Sequence, residues 1–290
     1  MSPTRRAYLQ LHIAVLFFGF TAILGNDQLI GLPAISTVWW RVLFTAVSLF
    51  FMIRFGKSLH RIPKKYLWQY LVIGVIVALH WVCFFGSVKL SNSSLTLVCM
   101  ATSSFFTAII EPLVFKTKFQ KQELLLGLLV IPGMALVVGT VGTKMWLGIA
   151  VGLFSAFLAA IFAVWNKKII DKADPVEITF LEMSSGLLFL SLVLPLTIHF
   201  DNNIAFLPQG IEWFYLLVLA LGCTTYAYVL SMKALKHLSA FTSTLTVNLE
   251  PVYGIILAYF FLGEKLSTGF YVGVLIILMA VFLAPFLKKN

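Results

Sequence analysis

The sequence predicts an all-α polytopic membrane protein, and three observations predict it. Its 290 residues are 60% hydrophobic and only 11% charged, with a mean hydropathy of +0.98. Soluble domains carry about 25% Asp, Glu, Lys and Arg, so these charges cannot wet a globular surface. The apolar residues run in long blocks instead of alternating, which points to helices in lipid and away from an outer-membrane barrel. The basic residues fall in short clusters between the blocks, so the net charge of +10 reads as juxtamembrane anchoring and not as nucleic-acid binding. Together these exclude a soluble enzyme and a secreted disulfide scaffold. Cys83, Cys99 and Cys223 lie in apolar runs and are expected to be packing residues.

A helix needs about 20 apolar residues to cross a bilayer. The first span, 7–25, follows Arg5 and Arg6 and is expected to be retained, because no small-x-small cleavage site follows it. Spans 35–54 and 66–89 flank a basic loop, and 93–115 ends at Lys116. Next come 122–140 after Lys121, 146–166 ending at Lys167 and Lys168, and 176–198. The chain finishes with 211–235, 239–262 ended by Gly263, and 268–286, making ten spans. Loops are short, the longest running over about 55–65 and 200–210. No nucleotide loop, His-Glu-x-x-His motif or paired-cysteine metal motif occurs, so no cofactor and no metal are expected, and a self-contained ATP-driven pump is excluded.

With the N-terminus inside, 17 basic residues fall on the cytoplasmic side, among them Arg54, Lys57, Arg61, Lys288 and Lys289. Only Lys89, Lys144 and Lys265 fall outside, and Arg41 is left within a span. The positive-inside rule therefore predicts both termini in the cytoplasm.

The two halves repeat. Val88-Lys89-Leu90 matches Met232-Lys233-Ala234-Leu235, Ser103-Ser104 aligns with Glu250-Pro251, and Lys116-Thr117-Lys118 aligns with Gly263-Glu264-Lys265. Each repeat (7–140 and 146–286) holds five spans. Five is odd, so the second copy inserts upside down, an arrangement used by transporters with a site near the midplane.

The stretch Asn248-Leu249-Glu250-Pro251-Val252-Tyr253, then Leu262-Gly263-Glu264-Lys265-Leu266 and Gly273, resembles the EamA-type signature of the drug/metabolite transporter superfamily. In the first half Ser103-Ser104 replaces the Glu-Pro step and Lys116-Thr117-Lys118 replaces Gly-Glu-Lys. The resemblance implies ten spans and secondary transport, often outward, of small organic solutes across a bacterial inner membrane.

Glu250 is the leading site candidate, since a carboxylate halfway along a span is costly unless paired, hydrated or protonated. Pro251 removes the backbone bond to Val247 and is expected to kink the helix into a polar notch or gate. His80 is a proton or hydrogen-bond partner, with a bonded buried imidazole as its structural alternative. Trp81 and Tyr226 are stacking walls, Tyr226 being preferred over Tyr228. Ser103 and Asn248 are further binding candidates, and Thr102 and Ser104 equally suit close helix packing. Glu111-Pro112 reads as an inner gate or helix-end carboxylate neutralised by Lys116 or Lys118. Arg41 and Glu182, equivalent across the repeat, are expected to snorkel to opposite interfaces, with a role in opposing gates as the alternative reading.

The expected activity is alternating-access export of small metabolites, amino acids first. Alternatives are a multidrug or cationic-solute exporter, facilitated diffusion, a membrane enzyme acting on a lipid-linked substrate, and a non-transporting sensor. The expected partners are the small-molecule substrate and the lipid bilayer, with protons as candidate coupling ion and a homodimer as candidate assembly. No nucleic acid is expected.

Overall fold

The computed structural model describes residues 2–56, 62–200 and 205–287. Lys57, Arg61, Lys288 and Lys289 lie outside the described residues, as does the Arg54 side chain.

The described residues form helices and no strand. In chain order these are α1 (Pro3–Leu24), α2 (Ala34–Gly56), α3 (Lys64–Leu90), α4 (Ser93–Ala101), α5 (Ser103–Phe115), α6 (Lys121–Gly139) and α7 (Trp146–Ile169). The second half holds α8 (Pro175–Phe200), α9 (Glu212–Ala220), α10 (Ala227–Leu235), α11 (Ala240–Val247), α12 (Glu250–Leu262) and α13 (Thr268–Leu287). Among the described residues, eight helical stretches are long and apolar enough to cross a membrane, and α13 adds a shorter one, Thr268–Met279. α6 packs along α13 and, at 1.5 Å per residue, its 19 residues reach about 28 Å. The chain is thus a multi-pass membrane protein of ten spans.

Three spans are compound. α4 and α5 meet at Thr102, whose N–H bonds Cys99 O three residues back at 3.1 Å. α11 and α12 meet at Asn248 and Leu249, which make the same tight bonds to Leu245 and Thr246, with Pro251 in the first turn of α12. α9 and α10 are joined by a π-helical turn, Leu221–Tyr226. The two breaks touch at mid-depth, where Asn248 Nδ2 donates to Ser104 Oγ at 2.9 Å.

The packing displays the inverted repeat. α3 packs on α7 and α1 packs on α10, which are the same contact with the halves exchanged. Likewise α5 on α7 mirrors α1 on α12, and α3 on α8 mirrors α2 on α9. α4 on α12 mirrors α11 on α5, whereas α2 on α8 and α6 on α13 are each their own mirror. The halves are therefore interlocked across a shared axis and are not two separate lobes. Glycines let α6 and α13 approach closely: a β-carbon on Gly133 would stand 2.6 Å from Gly273 O, and one on Gly273 2.6 Å from Gly133 O. Small residues let two backbones meet where lipid offers no hydrophobic drive.

After ten crossings the start of α1 and the end of α13 lie on one face of the bundle, called here the terminal face. α5 ends on that face at Lys116 in the left-handed region, φ 55°. α12 ends on the opposite face at Gly263, φ 66°. The two positions correspond in the repeat, so the same helix stop is built once with glycine and once with lysine.

Candidate functional site

A cavity of about 140 Å³ lies where the halves meet. It runs from Thr21 and Arg41, about one and two turns below the opposite face respectively, to Asn166, Leu235 and Ser243 near the terminal face. Glu250, His80, Trp81 and Ser103 all line it.

Arg41 comes from α2 and is 1% exposed. It does not snorkel. Its Nε donates to Thr224 Oγ1 at 2.6 Å, and its guanidinium carbon stands 4.0 Å from the Trp81 ring centroid. The π-helical turn supports this contact: Thr224 Oγ1 also donates to Leu219 O at 2.8 Å, and Thr45 Oγ1 donates to Ala220 O at 3.2 Å. One guanidinium nitrogen, Nη1, has no partner. The face of α2 that carries Arg41 packs on the other half, and depth along a span does not reveal which way a face points.

Glu250 occupies the first turn of α12, where a negative charge complements the helix dipole. Arg41 lies within Coulombic range of it. Ser103 stands in the equivalent place at the start of α5, without a charge.

His80 is anchored. Its Nδ1 lies 2.9 Å from both Ser155 O and Ser155 Oγ, and Ser155 Oγ donates to His80 O at 2.9 Å. The structural alternative for His80 therefore describes the imidazole's Nδ1 side. Trp81 packs edge-on against Tyr228, ring centroids 6.0 Å apart.

Tyr226 needs correction. It is half exposed, packs edge-on against Phe17 and does not line the cavity. Tyr228 does. The π-helical turn adds a residue to the helical register just before Tyr228, and nothing in a regular 100° pitch shows that.

Glu182 also needs correction. It is fully buried on α8 and accepts a hydrogen bond from Tyr228 OH at 2.8 Å. Asn166 lines the cavity beside it. Asn248 is buried in the break and outside the cavity lining, as is Pro251.

Glu111 is a helix-end carboxylate of a different kind from that expected. Its two oxygens accept the N–H groups of Ala240 at 3.0 Å and Phe241 at 2.6 Å, capping α11, because α5 and α11 run side by side. Pro112 follows it inside α5. Glu264, not singled out from sequence, mirrors the arrangement. It accepts Ser93 N–H at 3.1 Å, Ser94 N–H at 3.2 Å and Ser94 Oγ–H at 2.6 Å, capping α4. Each half thus holds the broken helix of the other by its N-terminus, at opposite faces. Further bonds cross between the halves at the opposite face: Gly31 N–H to Glu212 at 2.7 Å and Trp40 Nε1 to Phe206 O at 2.8 Å. Lys89 pairs there with Asp27.

The model of the EamA-like transporter family matches residues 5–139 and again 146–285. The chain belongs to the EamA-like transporter family. This transporter is 26% identical to GDP-fucose transporter 1 of Dictyostelium discoideum, over 93% of this chain and 76% of that one. It is 22% identical to the uncharacterized transporter YetK of Bacillus subtilis, over 98% and 88%. A crystal structure shares its fold with a TM-score of 0.74, 15% identity and 98% of both chains covered.

Proposed function

We propose that this transporter exports small zwitterionic metabolites, amino acids first, across a bacterial inner membrane by alternating access, with both termini in the cytoplasm. The observation that carries this reading is the presence of two opposite charges, Arg41 and Glu250, in one buried cavity between the halves. A substrate carboxylate has a ready partner in the unpaired Arg41 Nη1, and a substrate ammonium has one in Glu250. Trp81 and Phe162 offer walls for the side chain, and His80 a hydrogen-bonding edge.

A lone organic cation is disfavoured because Arg41 would repel it. A nucleotide sugar is disfavoured by charge and by size. Two phosphates need more than one arginine, and no lysine lines the cavity. The 140 Å³ volume matches cavities that hold one small ring, about 150 Å³.

In this reading the repeats 7–140 and 146–286 rock about the cavity, and the carboxylate caps at Glu111 and Glu264 serve as gates, with the break before Pro251 as a hinge. The cavity reaches toward the terminal face while the opposite face is bonded shut, which suits loading from the cytoplasm. The test is uptake of radiolabelled amino acids into inverted vesicles or proteoliposomes. Arg41→Met and Glu250→Gln should each abolish flux of a zwitterion. Undiminished flux in both variants would remove the site assignment.

A further inference from the structure

Three buried polar atoms near the terminal end of the cavity make no well-formed hydrogen bond: Glu182 Oε1 and both amide atoms of Asn166. The Asn166 amide stands within hydrogen-bonding range of the Glu182 carboxylate, whose Oε2 accepts from Tyr228 OH. A buried polar atom without a well-formed bond costs on the order of 1–3 kcal/mol, so this cluster gains from any change that completes its bonds.

Charge identifies what it is. Among the described residues, no cation lies within salt-bridge distance of Glu182. From α10 it meets Tyr228, and from α3 it is faced by Tyr70, whose hydroxyl donates to Ile169 O at 2.7 Å. The guanidinium of Arg41 on α2 is held on Thr224 and Trp81, and it acts on Glu250 instead. On α7, Lys167 is bonded to the Leu235 and Lys236 carbonyls and Lys168 to Val114 O. Glu177, one turn nearer the terminal face on α8, and Asp171 add only negative charge. A carboxylate at this depth with no counter-ion is stable only when something neutralises it. A dehydrated metal cation wants a shell of about six oxygens. The site offers Glu182, Asn166 and Tyr228, which is too few.

We infer that Glu182, with Asn166 and Tyr228, is a proton-binding site separate from the Arg41–Glu250 pair, and that it carries the coupling proton. A proton on Oε1 turns that acceptor into a donor, and the amide oxygen of Asn166 beside it can accept. Asn166 lines the cavity, so the proton exchanges through the same space that admits the solute. The two sites are joined by contact: Arg41 lies over Trp81, Trp81 packs on Tyr228, and Tyr228 bonds Glu182. A solute that moves Arg41 therefore disturbs the bond that holds Glu182. The coupling role rests on the transporter reading above; the protonation itself does not.

The test is pH-difference infrared spectroscopy on the full chain in proteoliposomes, with protons as the only ligand. The wild type should show the carbonyl stretch of a protonated buried carboxyl, lost on titration to alkaline pH. Glu182→Gln should remove that band, Glu250→Gln should leave it, and Tyr228→Phe should shift it by deleting one hydrogen bond. A band that survives Glu182→Gln overturns the assignment. Should Glu182→Gln fail to fold, an unshifted band in Tyr228→Phe overturns it equally. A band removed by sodium at constant pH would make the ligand a metal ion and overturn the proton. Zwitterion flux with no such band would leave the proposed function standing and sink only this inference.

Discussion

Removing the Glu264 carboxylate should open the face it closes. Glu264→Ala deletes three accepted hydrogen bonds: two from the first N–H groups of α4 and one from Ser94 Oγ. Replacing an N-cap acceptor costs about 1 kcal/mol, and hydrogen bonds to a charged group are worth more. Partial exposure of Glu264 lowers the total, so about 2 kcal/mol is a fair magnitude. If these bonds exist only while the opposite face is shut, the population open on that face rises roughly 30-fold. Thr21→Cys, at the deep end of the cavity, is a suitable reporter in a chain whose three native cysteines have been replaced. Labelling by a membrane-impermeant maleimide from the opposite face should accelerate by about that factor. Glu111→Ala, which uncaps α11 at the terminal face, should leave labelling from the opposite face unaccelerated and favour access from the terminal face. Two variants that shift access in the same direction, or not at all, would refute the idea that the caps are opposing gates.

Three further outcomes follow from local geometry. Gly133→Leu should destabilise the detergent-solubilised protein by at least about 1–3 kcal/mol in thermal unfolding, because the new β-carbon would stand 2.6 Å from the Gly273 carbonyl oxygen. Lys116→Gly should raise stability by about 1 kcal/mol in the same assay, since lysine at φ 55° carries a left-handed penalty that glycine lacks. Asp27→Asn, which breaks the exposed pair with Lys89, should change stability by no more than about 1 kcal/mol, and by less at high salt.

Much of the architecture is legible from the chain because lipid imposes a length rule that soluble domains escape. The ten spans, their five-and-five division and the pairing of residues near 102 with those near 248 all appear as runs and offsets. The site is legible in part. Glu250 and His80-Trp81 stand out because a polar or broad aromatic residue deep in an apolar run has few reasons to be there, and both line the cavity. Arg41 and Glu182 were equally visible as charges, but their proximity to span ends suggested headgroups as partners. Rotation about the helix axis, not depth, placed them inside. The reciprocal caps at Glu111 and Glu264 could have been suspected from their repeat-related ends, since α5 and α12 are each followed by a left-handed stop. Their partners are 129 and 170 residues away, a separation no local pattern reports.

By itself, the sequence determined membrane insertion, span number and the inverted repeat. Each of those depends on one-dimensional quantities: apolar run length, parity and offset. Only the tertiary structure decided which charges meet. That depends on three dimensions, and on a single π-helical turn that puts Tyr228 in the cavity, leaves Tyr226 outside it and brings Thr224 onto Arg41. In a medium with no water to satisfy stray polar groups, that one extra residue of helical register settles where the bonds are made.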